Sequence, residues 1–132
     1  MTGETNLDKL LGSMAPELVE GLFVFGTISD DAVPDGLRPQ MMFREAEGVT
    51  LILLKEEAEA RGIAYEFPCR MITLNIHSSL DAVGFLARIT AVLAEQDMGV
   101  NPVSGFYHDH LFVPDGKEQV ALSALRKLAR QA

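Results

Sequence analysis

The sequence predicts an α+β protein made of two small units of similar plan. Stretches of alternating or β-branched apolar residues are interleaved with stretches spaced for helices, and turn formers fall between them. A chain of 132 residues with 48% hydrophobic content can fill the core of one ordinary domain or of two very small ones.

The first element is a helix over about Asn6 to Met14. Leu7, Leu10, Leu11 and Met14 share one face, Thr5 with Asp8 makes a capping box, and Pro16 lies just past the end. Gly21 to Ile28, aromatic and β-branched between glycines, is a buried strand. Ser29 to Pro39 holds Asp30, Asp31, Pro34, Asp35, Gly36 and Pro39 and reads as a surface loop. Met41 to Ala46 and Val49 to Leu54 flank Glu47-Gly48, a hairpin signal. Lys55 to Arg61 is a short helix with its acids early, Arg61 late and Gly62 at the stop. Tyr65 to Phe67 is an edge strand that Pro68 interrupts.

After Cys69 the alternation sharpens. Ile72, Leu74 and Ile76 form a core face, and Met71, Thr73, Asn75 and His77 a semi-polar one. Ser78 and Asp81 form a second capping box, opening a helix that buries Ala82, Leu86, Ile89 and Leu93 and ends near Asp97. Val100 to Tyr107 is a strand that Pro102 places at an edge, His108-Asp109 a turn, and His110 to Val113 the returning strand. Asp115 with Glu118 starts a last helix burying Ala121, Leu125 and Leu128, with Arg126, Lys127 and Arg130 towards its C-terminal end. From Arg70 to Arg130 the order strand, helix, strand, strand, helix is the ferredoxin-like βαββαβ order short of its final strand. The first half reads as the same unit short of its first strand. The expected division is 1–69 and 70–132, with antiparallel sheets and helices on one face. The incomplete strand complement means that the halves complete each other or that two chains meet edge to edge.

Charge and composition narrow the partners. Nineteen acidic residues against eleven Lys and Arg leave a net charge of -8, which opposes binding to a phosphate backbone, so nucleic acid is not expected as a partner. No apolar run is long enough to span a bilayer and the start lacks a signal-peptide pattern, so no membrane partner is expected either. Cys69 is the single cysteine, which fits a reducing, cytoplasmic compartment.

Catalytic patterns are missing from the sequence. Cys69 has no adjacent base, Ser78 and Ser79 beside His77 sit in no Gly-x-Ser-x-Gly elbow, and no phosphate loop occurs. No catalytic residue and no cofactor is assigned, and the chain is not read as an enzyme. One alternative is a metal-binding protein or metal-dependent enzyme using His77, His108, Asp109 and His110, since two histidines flanking an acid suit a divalent ion. Another is a purely structural dimerisation domain.

The run Asp81-Ala82-Val83-Gly84-Phe85-Leu86-Ala87-Arg88-Ile89, with Val92 to Glu95 and Gly99-Val100-Asn101, resembles an ACT domain, a small-ligand regulatory module. Phe43 to Gly48, His77 to Leu80 and Tyr107 to Val113 extend the likeness to a group of small bacterial tandem-ACT proteins. Where the ACT pattern often has proline before its glycine, this chain has Val83. The resemblance implies two ACT-type units and a likeness to regulatory proteins that bind an amino acid or related metabolite at the strand-to-helix loop between units; the incomplete strand complement adds the expectation of a homodimer. The ligand residues it points to are His77, Ser78, Ser79, Leu80, Asp81, Val83, Gly84 and Asn101. There is a physical basis: free amides after Ser78 can hold a carboxylate, Gly84 admits close backbone approach, Asp81 can answer an ammonium group, and Asn101 offers a donor and an acceptor. The same residues also fit a plain helix cap with close packing.

Overall fold

The computed structural model describes residues 3–30 and 33–132. Asp31, one of the expected turn formers, lies outside the described residues. Along the chain run α1 (Leu7–Ser13), β1 (Pro16–Ile28), β2 (Met41–Glu45), β3 (Gly48–Leu54), α2 (Lys55–Ala60), β4 (Tyr65–Leu74), α3 (Phe85–Ala94), β5 (Asn101–Ser104), β6 (Asp109–Pro114) and α4 (Glu118–Gln131). They form two compact units: Gly21–Cys69, and the segment up to Glu20 together with Arg70–Ala132. The first helix and the first residues of β1 pack with the second half of the chain.

In the unit Gly21–Cys69 the strand order is β2-β3-β1, followed by the opening residues of β4. The β1–β3 and β2–β3 pairs are antiparallel, with Phe25 opposite Ile52 and Phe43 opposite Thr50. Val24, Val49, Leu51 and Leu53 form the core with Ala58 of α2 and Ile63. The hairpin turn is Ala46-Glu47, not Glu47-Gly48, because Glu45 pairs with Gly48 and leaves those two residues as the loop. β1 begins at Pro16 rather than at Gly21; proline's missing donor is tolerated at the first residue of a strand. Pro68 does not end β4. Phe67, just before the proline, takes a φ of 58°, and the strand continues through both residues to Leu74.

In the other unit the order is β1 (its first residues), β4, β6, β5. The amide of Asn75, just past β4, donates to the carbonyl of Ala15, just before β1, at 3.1 Å, so the two strands run antiparallel. The fourth strand that residues 70–132 lack is thus supplied by Pro16–Glu20. Leu10 and Leu11 of α1, and Met14 just after it, join Ile72, Leu74, Phe85, Ile89, Leu93, Leu111, Val113 and the apolar face of α4 in one core. In α4, Leu122, Leu125 and Leu128 are buried, each contributing about 1.5–3 kcal/mol relative to exposure. Arg70 pairs with Glu118 at 3.2 Å at the head of this helix.

Three expectations for this half are corrected. The supposed semi-polar face of β4 is buried at Met71 and Thr73, so that Met71 to Leu74 is enclosed on both faces. The β5–β6 turn occupies Gly105 to His108, so His108 lies in it but Asp109 does not: the Gly105 amide bonds to the His108 carbonyl at 2.9 Å and Asp109 is already paired with Ser104. Helix α3 starts at Phe85, well after Ser78, for the reason given below.

Candidate functional site

The loop from Leu74 to Gly84 is held from outside by the start of the chain. The Glu4 amide donates to the His77 carbonyl at 2.9 Å and the Ser79 amide to the Glu4 carbonyl at 2.9 Å, a short parallel bridge. Gly3 permits it: a Cβ there would stand 2.6 Å from the Ser78 carbonyl carbon and the Ser79 nitrogen. The Glu4 carboxylate accepts the Thr5 and Asn6 amides, which hold it below the usual glutamate range. Asn6, not Thr5, caps α1, its Oδ1 accepting the Lys9 amide at 3.0 Å.

The Ser78–Asp81 capping box is not formed. The Ser78 hydroxyl donates to Asp109 Oδ2 at 2.9 Å, and the Ser79 hydroxyl accepts the Asp81 amide at 3.1 Å. Gly84 is the residue before α3, at φ 89°, a conformation that favours glycine, and it makes no side-chain cap. The expectation of free amides at the serine bend is corrected at four positions. Those of Ser78, Ser79, Asp81 and Ala82 bond to Ile76 O, Glu4 O, Ser79 Oγ and Ser79 O. The amides without an intrahelical acceptor lie further on, at the head of α3, because Arg88 makes the first helical bond, to Gly84.

A cavity of about 190 Å³ opens at that head. Of the residues expected at a ligand site, Ser78, Ser79, Leu80 and Gly84 line it, together with Ala82, Phe85, Leu86, Ala87, Ser104 and Asp109. The other four do not. His77 stacks near Phe106 and Tyr107, with ring centroids 6.3 and 5.6 Å away. Asp81 is exposed, and Val83 is 83% exposed. Asn101 pairs with Phe112 at the opposite end of β5 from Ser104, and alternation turns it to the opposite face. Ser104 was not indicated by the sequence, and Asp109 was indicated only as a metal ligand. The signal for Asp109 was its i, i+2, i+4 relation to Leu111 and Val113, which puts it on the core face of β6.

The histidines do not assemble into a metal centre; among the described residues no group of three His, Cys, Asp or Glu side chains could hold an ion. Asp109 faces the cavity. His110, one residue on, faces the other side of the strand and bonds to Thr73 Oγ1 at 2.9 Å. Burial, then the neighbouring His108, push the His110 imidazole below its ordinary value, with Asp109 opposing. His108 Nδ1 lies 3.4 Å from the Ile76 carbonyl. Two wider hollows, about 390 and 700 Å³, are lined without any buried charged side chain.

Two ACT domain profiles match the chain, over residues 2–70 and 66–127. The chain belongs to the ACT domain family. This ACT protein is similar, at 43% identity over 93% of its length and 95% of the other chain, to a solved Vibrio cholerae protein described as of unknown function and "Possible Transport Protein" (TM-score 0.84). An Agrobacterium tumefaciens protein shares 17% identity over 88% of this chain and 89% of its own, with a TM-score of 0.74. The ligand-free regulatory subunit of aspartate kinase from Thermus thermophilus shares the fold, at 12% identity, 89% and 97% coverage and a TM-score of 0.65. No curated protein matches the chain. Among the described residues, no helix of this ACT protein is long and apolar enough to cross a membrane.

Proposed function

We propose that this ACT protein is a regulatory module, not an enzyme, that binds a small amino acid or related metabolite at the strand-to-helix loop of its second ACT unit, within the division 1–69 and 70–132. The observation that carries the reading is the cavity at the head of α3, where residues whose amides have no helical acceptor, together with Ser78, Ser79 and Ser104, line a space of about 190 Å³. Such amides favour a carboxylate, and the volume suits a small metabolite rather than a drug-sized ligand. The fold shared with the Thermus thermophilus aspartate kinase regulatory subunit supports a regulatory role. Ligand occupancy biases the conformational equilibrium of the chain and through it contact with a partner.

A thermal-shift screen of the standard amino acids tests this. At least one should raise the melting temperature saturably, because a ligand bound only to the folded state stabilises it by mass action. Ser104→Arg should abolish that response by filling the cavity mouth from an exposed strand position. A flat response of the wild-type protein to the whole set would defeat the reading.

A further inference from the structure

The cavity contains a charge that the chain does not balance. Asp109 is 6% exposed and opens β6 on the face packed by helices. One oxygen, Oδ2, accepts the Ser78 hydroxyl. Among the described residues no Lys or Arg pairs with it. No fully enclosed side-chain oxygen or nitrogen among them is left without a partner, so Oδ1, which makes no side-chain hydrogen bond there, is open to the space it lines. A carboxylate withdrawn from water is unfavourable unless a positive charge accompanies it, and a single neutral hydroxyl does not supply one. The two nearest histidines do not supply it either: His110 points to the other face of β6, and His108 to the Ile76 carbonyl.

We propose that the cavity selects a ligand carrying a primary ammonium group and that Asp109, held by Ser78, is the residue that recognises it. This rests on the cavity being the ligand site and names the chemical class that enters it. An ammonium group has three donors. Asp109 Oδ1, the lone pairs that Ser78 Oγ retains after donating, and Ser104 Oγ are acceptors on the same cavity wall, Ser104 being the register partner of Asp109. A ligand bearing only a carboxylate leaves Asp109 unpaired and adds a second negative charge beside it.

Thermal shift and calorimetry with four probes test the proposal: ethylammonium chloride, glycine, sodium propionate and potassium chloride. Ethylammonium and glycine should raise the wild-type melting temperature saturably, and propionate and potassium chloride at matched ionic strength should not. Asp109→Asn should weaken ethylammonium and glycine at least tenfold. An equal response to propionate or potassium chloride overturns the proposal, as does unchanged affinity in Asp109→Asn. Ethylammonium binding without any amino acid binding would sink the amino acid reading and sustain Asp109. An amino acid that binds Asp109→Asn as well as wild type would do the reverse, and no response to amine or amino acid removes both. Should Asp109→Asn fail to fold, the Asp109 carboxyl ¹³C resonance of the wild-type protein decides: a saturable shift with ethylammonium is expected, and an unmoved resonance overturns the assignment.

Discussion

A side chain at position 3 has no room, because a Cβ there would meet the backbone of Ser78 and Ser79 at 2.6 Å, and backbone cannot swing aside. Gly3→Ala is expected to cost about 1–3 kcal/mol, the usual range for overpacking, read as a lower denaturation midpoint. Ser78→Ala leaves the buried Asp109 without its hydroxyl and should cost about 1–3 kcal/mol on the same measurement. His110 makes a prediction in pH. Its folded-state value is depressed below 6.5, so the unfolded chain takes up the proton first as pH falls. Stability is therefore full above 6.5 and is lost as pH drops below it towards the depressed value. His110→Gln should flatten the melting temperature over that window; an unchanged slope counts against burial of the neutral imidazole. These roles were partly legible. Ser78 and Asp109 each stood out as a polar residue beside an apolar strand, but that they meet depends on β6 lying next to β4, thirty-one positions away in sequence.

Among the elements, α1 shows the difference between forming a helix and placing one. Its spacing predicted the helix and its buried face, and Leu10, Leu11 and Met14 are buried. Its host was not legible, because an amphipathic face specifies that it will be covered and not by what. Leu10→Ala is expected to cost about 2–5 kcal/mol, and hydrogen exchange should accelerate in α3 and α4, against which α1 packs; loss of protection confined to residues 6–14 would contradict that packing. Helix α3 failed at its start for a different reason. A capping box is a local pattern, and here its hydroxyl is engaged elsewhere, Ser78 with Asp109, while the Asp81 amide bonds to Ser79 Oγ. The turn read at His108-Asp109 ran one residue too far because polar residues were read as a turn, although the alternation with Leu111 and Val113 extends the strand back to Asp109.

For the whole molecule, the strand order leaves β2 outermost in its unit, and Met42 and Phe43 on it are 54% and 63% exposed. An apolar outer strand is a surface that natural proteins cover, and a second copy of this ACT protein is the proposed cover. Paired antiparallel about Phe43, two β2 strands set Phe43 against its copy and Arg44 against Met42, with no like charges directly opposed. Sedimentation should show a dimer that Met42→Lys with Phe43→Lys converts to monomer; a wild-type monomer at every concentration would refute it.

The sequence by itself determined the kinds of element and nearly all of their order, the α+β class, the ACT likeness, and which faces of α1 and α4 are apolar, because these follow from periodicity and turn chemistry within a few residues. Only the tertiary structure decided that Pro16–Glu20 provides the strand missing from residues 70–132, that Ser78 holds Asp109 rather than capping a helix, and that the open amides lie at Phe85 to Ala87. Each of these is settled by competition among partners distant in sequence for the same hydrogen bond or the same apolar face, and local pattern carries no record of who wins that competition.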